Sequence, residues 1–509
     1  MAIKTIGQTN FWTGMTNDIR NTLSTVVYYS ENIETGKGKT LKQVVNNQAE
    51  NVCNYNSSAY ITKTIQVGTD IYGLGMFSGT ADETTLWKKT NSLSSNWAVA
   101  TDGSIAATAF RAGDVLLSSV DNYIYIDGGS AYVAKYDIAN TTMTAEWKYA
   151  ATGNLKGGTI WQGNIYGWNG QDIYQIDPVA ETVTNMKAVS SEQTIVDLVP
   201  YGNLLMAVCT STITNSKAYL WNGVSTTAWV DILDLGFGTV SGGANLDGII
   251  YIVIGSDNKR NIKIKAYNGG VFQTQFTYTA KPNRAGTYEY IMLASKVKVY
   301  SGFIYFIITG TKPDGTYANY YEYAIARYGR EEPVNPMTFS IYKTLDFTST
   351  RGLDGQTTNN DFVIIENIVG ASDTQEKSIL AFINSNSSAT TEFLSSTNTY
   401  DAQAGIIETV KYNGGDSSVV KQLKSVSGFF SALGSSGQVV MDYKKDEELT
   451  WTTIFTNASG SALSYEAVSV ESTGLNLPQF KEMQFRFKLT GEAELTGWKA
   501  KFEELSQNF

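Results

Sequence analysis

The chain of 509 residues contains no histidine. That absence removes histidine-based hydrolytic triads, His-Glu-x-x-His zinc sites and imidazole proton shuttles together. Cysteine occurs only at Cys53 and Cys209, far apart, and Cys209 closes the apolar run that begins at Leu204. A buried free thiol is expected there rather than a disulfide, and no need for an oxidising compartment follows. Charged residues make up 17% of the chain, the formal net charge is −10, and arginine stands only at positions 20, 111, 260, 284, 327, 330, 351 and 486. An acidic chain without a basic run is a poor reader of nucleic-acid sequence, and no such binding is expected. No apolar run approaches a membrane span, and Met1 to Gln8 lacks a signal-peptide core. Synthesis and folding in the cytoplasm are expected.

What is abundant is glycine, serine, threonine, asparagine and tyrosine, a mix that suits short strands joined by tight turns. One short pattern recurs seven times between residues 70 and 385: a Gly, Asn or Asp, then a run of β-formers, a variable loop, and a second run ending in an aromatic and a turn residue. The first halves read Asp70-Ile-Tyr-Gly-Leu74, Asn122-Tyr-Ile-Tyr-Ile126, Gly163-Asn-Ile-Tyr-Gly167, Gly202-Asn-Leu-Leu-Met206, Gly248-Ile-Ile-Tyr-Ile252, Gly302-Phe-Ile-Tyr-Phe306 and Asp361-Phe-Val-Ile-Ile365. Second halves include Ala134-Lys-Tyr-Asp137, Tyr174-Gln-Ile-Asp177 and Tyr219-Leu-Trp-Asn-Gly223. A period near 40–50 residues filled with strands is the mark of a β-propeller. The fold expected is all-β: a seven-bladed β-propeller over 61–388, an N-terminal arm over 1–60 that packs on or closes it, and a C-terminal antiparallel β-sandwich over 389–509.

Within the arm, Val26 to Ser30 reads as a strand, Asn32 to Lys42 as a charged loop, and Leu41 to Asn51 as a weak strand or short helix. Beyond the polar stretch after Asn384, strands are expected at Ile406–Tyr412, Val419–Val426, Gln438–Tyr443, Trp451–Phe455, Met483–Leu489 and Ala493–Phe502. Phe485-Arg-Phe-Lys-Leu489 alternates strictly, which puts the apolar members on one face. The inward set is expected to be Val439, Met441, Trp451, Ile454, Phe485, Phe487 and Trp498.

The run Gln484 to Glu503, in which an apolar/basic strand leads through a Thr-Gly turn into a last strand, resembles the closing strands of β-propeller virion proteins of tailed bacteriophages. Gly437 to Asp446 followed by Thr450-Trp-Thr-Thr-Ile454 is similar to that group's preceding hairpin, and Phe11 to Arg20 followed by Tyr28 to Ile33 to its opening segment. The resemblance implies a non-enzymatic structural protein, foremost of the tail hub, or packaged-DNA stabilisation, type, with a place on the capsid or in a distal tail tip as the alternatives. It implies a homo-oligomeric ring in the virion tail, assembled in the host cytoplasm, with portal, adaptor and tail components as partners and only passive contact with passing DNA. It carries over no catalytic residue, metal or cofactor, and none is expected.

Two other classes stand beside it. A receptor- or glycan-binding adhesin would stack sugars on tryptophans such as Trp87, Trp97, Trp161, Trp168 or Trp221, which more simply read as core. A sialidase-like glycoside hydrolase needs an arginine cluster, yet Arg111, Arg260, Arg284, Arg327 and Arg351 fall at unrelated positions of the repeat. Trp451 to Ile454 lacks the Ser-x-Asp-x-Gly-x-Thr-Trp spacing of that class. The carboxylate pairs Asp231/Asp234 and Glu331/Glu332 read as a strand end and an exposed turn rather than acid–base pairs. Asp127-Gly-Gly and Asp314-Gly-Thr read as turns rather than calcium loops, and Gly236 to Gly243 as a blade-to-blade turn rather than a phosphate cradle. Lys259, Arg260, Lys263 and Lys265 read as gatekeeper charges of a solvated edge strand. Interaction loops are expected around Lys281 and Arg284, Lys312 and Asp314, and Arg330 and Glu331.

Overall fold

A computed structural model of the chain describes residues 3–8, 27–31, 33–35, 41–43, 45–49, 59–77, 83–90, 98–106, 116–127, 131–150, 155–226, 228–255, 261–279, 289–292, 297–311, 323–330, 333, 336–345, 361–366, 377–384, 391–400, 404–413, 416–431, 433, 437–457, 465–471 and 477–505. All regular structure among them is β-strand. No helix there is long and apolar enough to cross a membrane. The chain divides into a larger unit, Asn47–Tyr323 with Leu345–Ser396, and a smaller one, Met1–Asn46 with Ala324–Thr344 and Thr397–Phe509.

The larger unit is a propeller-like succession of four-stranded antiparallel groups, of which the second and third are joined into one eight-stranded sheet by a single parallel pairing of Leu116 with Gly157. The first holds Ala59–Val67, Asp70–Phe77, Glu83–Thr90 and Ala98–Ala106; the second Leu116–Val120, Tyr123–Asp127, Tyr132–Asp137 and Thr142–Tyr149; the third Lys156–Trp161, Asn164–Asn169, Asp172–Asp177 and Thr182–Ala188. The fourth holds Thr194–Tyr201, Leu204–Thr210, Ser216–Trp221 and Asp231–Gly236; the fifth Thr239–Leu246, Ile249–Gly255, Asn261–Tyr267 and Gln273–Thr279. Next, Glu289–Met292 and Lys298–Tyr300 both pair with Phe303–Thr311. In the last sheet Asp361–Glu366, Lys377–Asn384 and Thr391–Tyr400 are followed in space by Val45–Ala49, of which Asn47–Ala49 belong to this unit.

The first strands of successive sheets lie side by side. Ala59–Val67 neighbours Leu116–Val120, which neighbours Lys156–Trp161; that strand neighbours Thr194–Tyr201, then come Thr239–Leu246 and Lys298–Tyr300, and Asp361–Glu366 lies against Ala59–Val67. Because the second, third and fourth sheets are covered on both sides, their inner strands read as continuous apolar runs rather than as simple alternation. In Leu204–Thr210, Leu205, Ala207 and Cys209 pack with Trp161, Trp168 and Ile173 of the third sheet. The intervening Met206 and Val208 pack with Ile250, Ile252 and Ile254 of the fifth.

Where a glycine opens the repeat, the turn residue has a backbone reason: Gly163, Gly202, Gly248 and Gly302 all have positive φ. Gln162 and Gly163 have φ of 49° and 79°, and Asp247 and Gly248 have 54° and 80°. Two consecutive left-handed residues make the two-residue hairpin whose twist matches the flanking strands. A register shift recurs in the first strands, between Ile61 and Lys63, Gly157 and Thr159, Ile195 and Asp197, and Val240 and Gly242. Such bulges bend a strand and free one residue from the ladder. Side chains from these strands then tie sheet to sheet: Lys63 Nζ donates to the Gly157 carbonyl at 2.6 Å, Thr159 Oγ1 to the Leu198 carbonyl at 2.8 Å, and Gly243 N to the Asp197 carboxylate at 3.1 Å.

The smaller unit contains two antiparallel layers of strands. In one, the order is Ile33–Thr35, Leu41–Gln43, Glu494–Glu504, Lys421–Ser431, Tyr465–Glu471, with Ile3–Gln8 also on Glu494–Glu504 and Gln479–Phe480 on Lys421–Ser431. In the other, Val27–Glu31, Gly405–Thr409, Met483–Thr490, Gln438–Lys445 and Thr452–Asn457 are consecutive neighbours, and Thr338–Leu345 runs parallel to Val27–Glu31. The segment read as a charged loop thus supplies a short hairpin, Ile33–Thr35 with Leu41–Gln43. Val439, Met441, Phe485, Phe487 and Trp498 are fully buried, as the alternation demands, whereas Trp451 and Ile454 are half-buried and Phe455 takes the inward place. The cause is a bulge: Met441 pairs with Phe455 but Asp442 with Thr453, so Ile454 drops out of register. Trp451 instead lies under Arg486 and Lys444, at 4.5 and 4.7 Å from its ring centroid.

Candidate functional site

Lys281, Arg284, Lys312, Asp314 and Glu331 lie outside the described residues, as do Glu332, Trp97, Arg111, Arg260, Arg351 and Cys53. Arg330 donates to the Pro333 carbonyl at 2.6 Å and so closes its own turn. Arg327 is buried, with its guanidinium 4.8 Å from the Tyr342 ring centroid. Trp87, Trp161, Trp168 and Trp221 are core residues. Cys209 is a buried free thiol, pushed far above the usual range by burial.

Asp231 is the first residue of the strand Asp231–Gly236, and Asp234 lies within it. Asp234 accepts from Gly236 N and Asn215 Nδ2, which fixes the strand's last turn. The strand Asn261–Tyr267 is third of four and therefore not an edge. Lys265 donates to the Leu235 carbonyl at 2.8 Å, and burial, reinforced by Lys263, lowers its pKa against the pull of Asp234. Of Gly236 to Gly243 only Phe237 and Gly238 lie between strands; Gly236 ends the strand Asp231–Gly236, and Gly242 and Gly243 belong to the strand Thr239–Leu246. Asp127 is buried and accepts from Leu155 N at 2.9 Å, which joins the second sheet to the third. Among the described residues no group of three or more His, Cys, Asp or Glu could hold a metal ion.

The residues that do converge were not anticipated. A cleft of about 370 Å³ opens where the outer strands of the second sheet meet a hairpin of the third, lined by Tyr123, Lys135, Asp137, Thr142, Thr144, Trp147, Lys148 and Glu181. Its architecture follows from a local irregularity. Val133 pairs with Lys148 and Lys135 with Thr144, so a single residue, Ala134, faces three on the last strand, Ala145 to Trp147. A bulge of this kind re-aims side chains, and here Trp147 reaches Tyr125 edge-on at 5.2 Å. Tyr123, Trp147 and Tyr125 surround the Lys135 ammonium at 4.0, 5.3 and 5.9 Å from their centroids, an attractive arrangement for a cation. Burial first, then the nearby Tyr123, Asp121 and Glu181, push the Tyr125 phenol up to about 12.

The two carboxylates of the cleft, Asp137 and Glu181, come from equivalent turns of successive repeats. Asp137 and Asp177 open twin turns, each carboxylate accepting from backbone N–H groups two and three residues on. The Asn140 side-chain amide, then its backbone N–H, hold the Asp137 carboxyl below its usual range. Each turn ends on a left-handed residue, Thr141 with φ 53° and Glu181 with φ 54°. Glu181 thereby reaches Lys135 at 3.9 Å and Lys148 at 3.5 Å. The sequence signal for this site lay in Thr142 to Tyr149, where exposed and half-buried positions alternate around a tryptophan flanked by charges.

No family model and no curated protein matches the chain. Among solved structures, the N-terminal domain of Nup159 is similar at 10% identity over 55% of this chain and 75% of that one, with a TM-score of 0.35. The computationally designed Ika8 protein is similar at 10% identity over 66% of this chain and 96% of its own, with a TM-score of 0.38. Similarity at this level carries no argument about fold or function.

Proposed function

We propose that the chain is a non-enzymatic structural component of a tailed-phage virion, a tail hub or connector ring protein linking portal and adaptor to tail parts. Its larger unit is read as a seven-bladed propeller in which Val45–Ala49 supplies the outermost strand of the last blade. The side-by-side order of first strands, with Asp361–Glu366 against Ala59–Val67, supports that reading, as does the resemblance of the sequence at both ends.

The observation that carries the architectural role is the use made of the N-terminal segment. Ile3–Gln8 and Leu41–Gln43 pair with Glu494–Glu504, and Val45–Ala49 joins the sheet of Asp361–Tyr400. Strand edges in both units are covered by residues remote in sequence, which suppresses unwanted pairing and resists local opening. That property suits a part that must stay rigid between neighbours. The test is reconstruction of particles from a phage that encodes the chain, with cross-linking to identify neighbours. Density for a ring of this protein at the tail is expected; its absence from intact particles refutes the reading. A second reading, a phage adhesin propeller that recognises a glycan, is favoured by the Tyr123–Trp147–Lys135 cleft alone.

A further inference from the structure

We propose that this cleft binds a carboxylate-bearing saccharide, and that Glu181 occupies the seat of the ligand's carboxylate. The inference rests on the adhesin reading and goes beyond it in naming the charged group recognised.

Charge-assisted hydrogen bonds between an ammonium and a carboxylate run about 2.7–2.9 Å. The Lys135 and Lys148 contacts to Glu181, at 3.9 and 3.5 Å, are longer. Glu181 neutralises both cations without closing a bond to either, and its side chain is 51% exposed. Each of its two oxygens faces one ammonium, the pattern a ligand carboxylate would reproduce at shorter range. Lys135, only 17% exposed, is already held in place by three aromatic rings, so little freedom is lost when it engages a ligand. Among the described residues the Trp147 indole N–H donates to no protein acceptor.

The remaining lining narrows the ligand class. The Thr142 and Thr144 side chains, with the Trp147 indole, offer groups that match ring hydroxyls. An apolar acid would leave them unpaired at a cost. The volume, about 370 Å³, falls in the range of about 300–1,000 Å³ usual for small-molecule sites.

The experiment is calorimetric titration of the full chain with digalacturonate, its neutral counterpart galactobiose, and inorganic phosphate, at low and high salt. Digalacturonate is expected to bind, more weakly at high salt, and the other two to bind at least about ten-fold more weakly, because they lack the paired charge and hydroxyl match. Lys148→Gln is expected to weaken digalacturonate about ten-fold, and Glu181→Gln to strengthen it about three- to ten-fold by removing the internal competitor. A gain in affinity cannot arise from misfolding, so Glu181→Gln protects the test if Lys148→Gln folds poorly. Equal binding of digalacturonate and galactobiose overturns the carboxylate inference while the glycan reading survives. Equal binding of phosphate overturns it as well. Binding of none of the three removes both.

Discussion

Asp442 offers the sharpest test of what holds the smaller unit together. Its carboxylate is 1% exposed and faces two cations on the neighbouring strand. Oδ2 accepts from Arg486 Nε at 2.9 Å and Nη2 at 2.7 Å, and lies 2.9 Å from Lys488 Nζ; Oδ1 accepts from Thr453 Oγ1 at 2.8 Å. Asp442 and Arg486 are direct cross-strand partners, so the contact is fixed by register. Asp442→Asn keeps the shape and deletes the charge, leaving a guanidinium 13% exposed without its counter-ion. Breaking a buried pair from one side typically costs about 3–5 kcal/mol. Lys488, one-third exposed, is partly rescued by water, which puts the expected loss near ~3 kcal/mol.

The pH dependence sharpens the test. Burial alone would raise the Asp442 carboxyl, but the bonds from Lys488, Arg486 and Thr453 outweigh it and hold the group below its ordinary value. A depressed carboxyl contributes fully above its unfolded pKa of about 3.9 and loses that contribution as pH falls through the folded value. The gap between wild type and Asp442→Asn is therefore expected to stay constant from about pH 8 to pH 5 and to close only below about pH 4. Hydrogen exchange of peptides covering 438–445 and 483–490, measured against urea, reads this unit separately from the other. A loss under about 1 kcal/mol at pH 7, or an equal gap at pH 3 and pH 7, refutes the reasoning.

Other expectations concern the larger unit and the edges. Leu205→Ala and Met206→Ala face opposite neighbouring sheets, and each is expected to cost about 2–5 kcal/mol in chemical denaturation; a near-neutral effect of either would mean that one face is not covered. A Cβ on Gly158, whose φ is +119°, would stand 2.5 Å from the Leu117 carbonyl oxygen. Gly158→Ala is thus expected to lower stability by about 2–4 kcal/mol, and wild-type denaturation would refute the bulge geometry. Cys209 is expected to resist a thiol reagent in the native state and to react on unfolding; rapid native labelling would contradict its burial. Ile6→Pro removes a backbone donor opposite Ala500, and faster exchange of the amides of 498–503 is expected, whereas unchanged protection would deny that pairing.

The parts of this fold that were legible in the sequence are those where one physical rule acts alone. Alternation in Phe485 to Leu489 announced its buried face, and the recurring Gly, Asn or Asp before a run of β-formers announced the repeated strands. The apolar run from Leu204 to Cys209 announced a buried thiol, and Cys209 is one. Bulges defeated the same rules. One bulge exchanged Ile454 for Phe455, and another turned Trp147 into the cleft, and neither shows in a period of two. Tyr465–Glu471 went unread because Tyr-Glu-Ala-Val-Ser-Val-Glu is short and polar enough to pass for a loop until it pairs with Lys421–Ser431. The role of Glu181 depends on a left-handed position that Thr141 fills in the preceding sheet. Only the repeat of Asp137 and Asp177 four residues earlier marks that position, and it says nothing of the two lysines it meets.

Ile3–Gln8 has its partner some 490 residues downstream, in Glu494–Glu504. During synthesis it must wait, unzipped, until Glu494–Glu504 is made, because among the described residues no earlier stretch pairs with it. Contacts of such long sequence separation form late and slowly. A message cut short before Glu494 yields a polypeptide whose strand Ile3–Gln8 lacks this partner, so Glu494–Glu504 acts as the latch of its own unit.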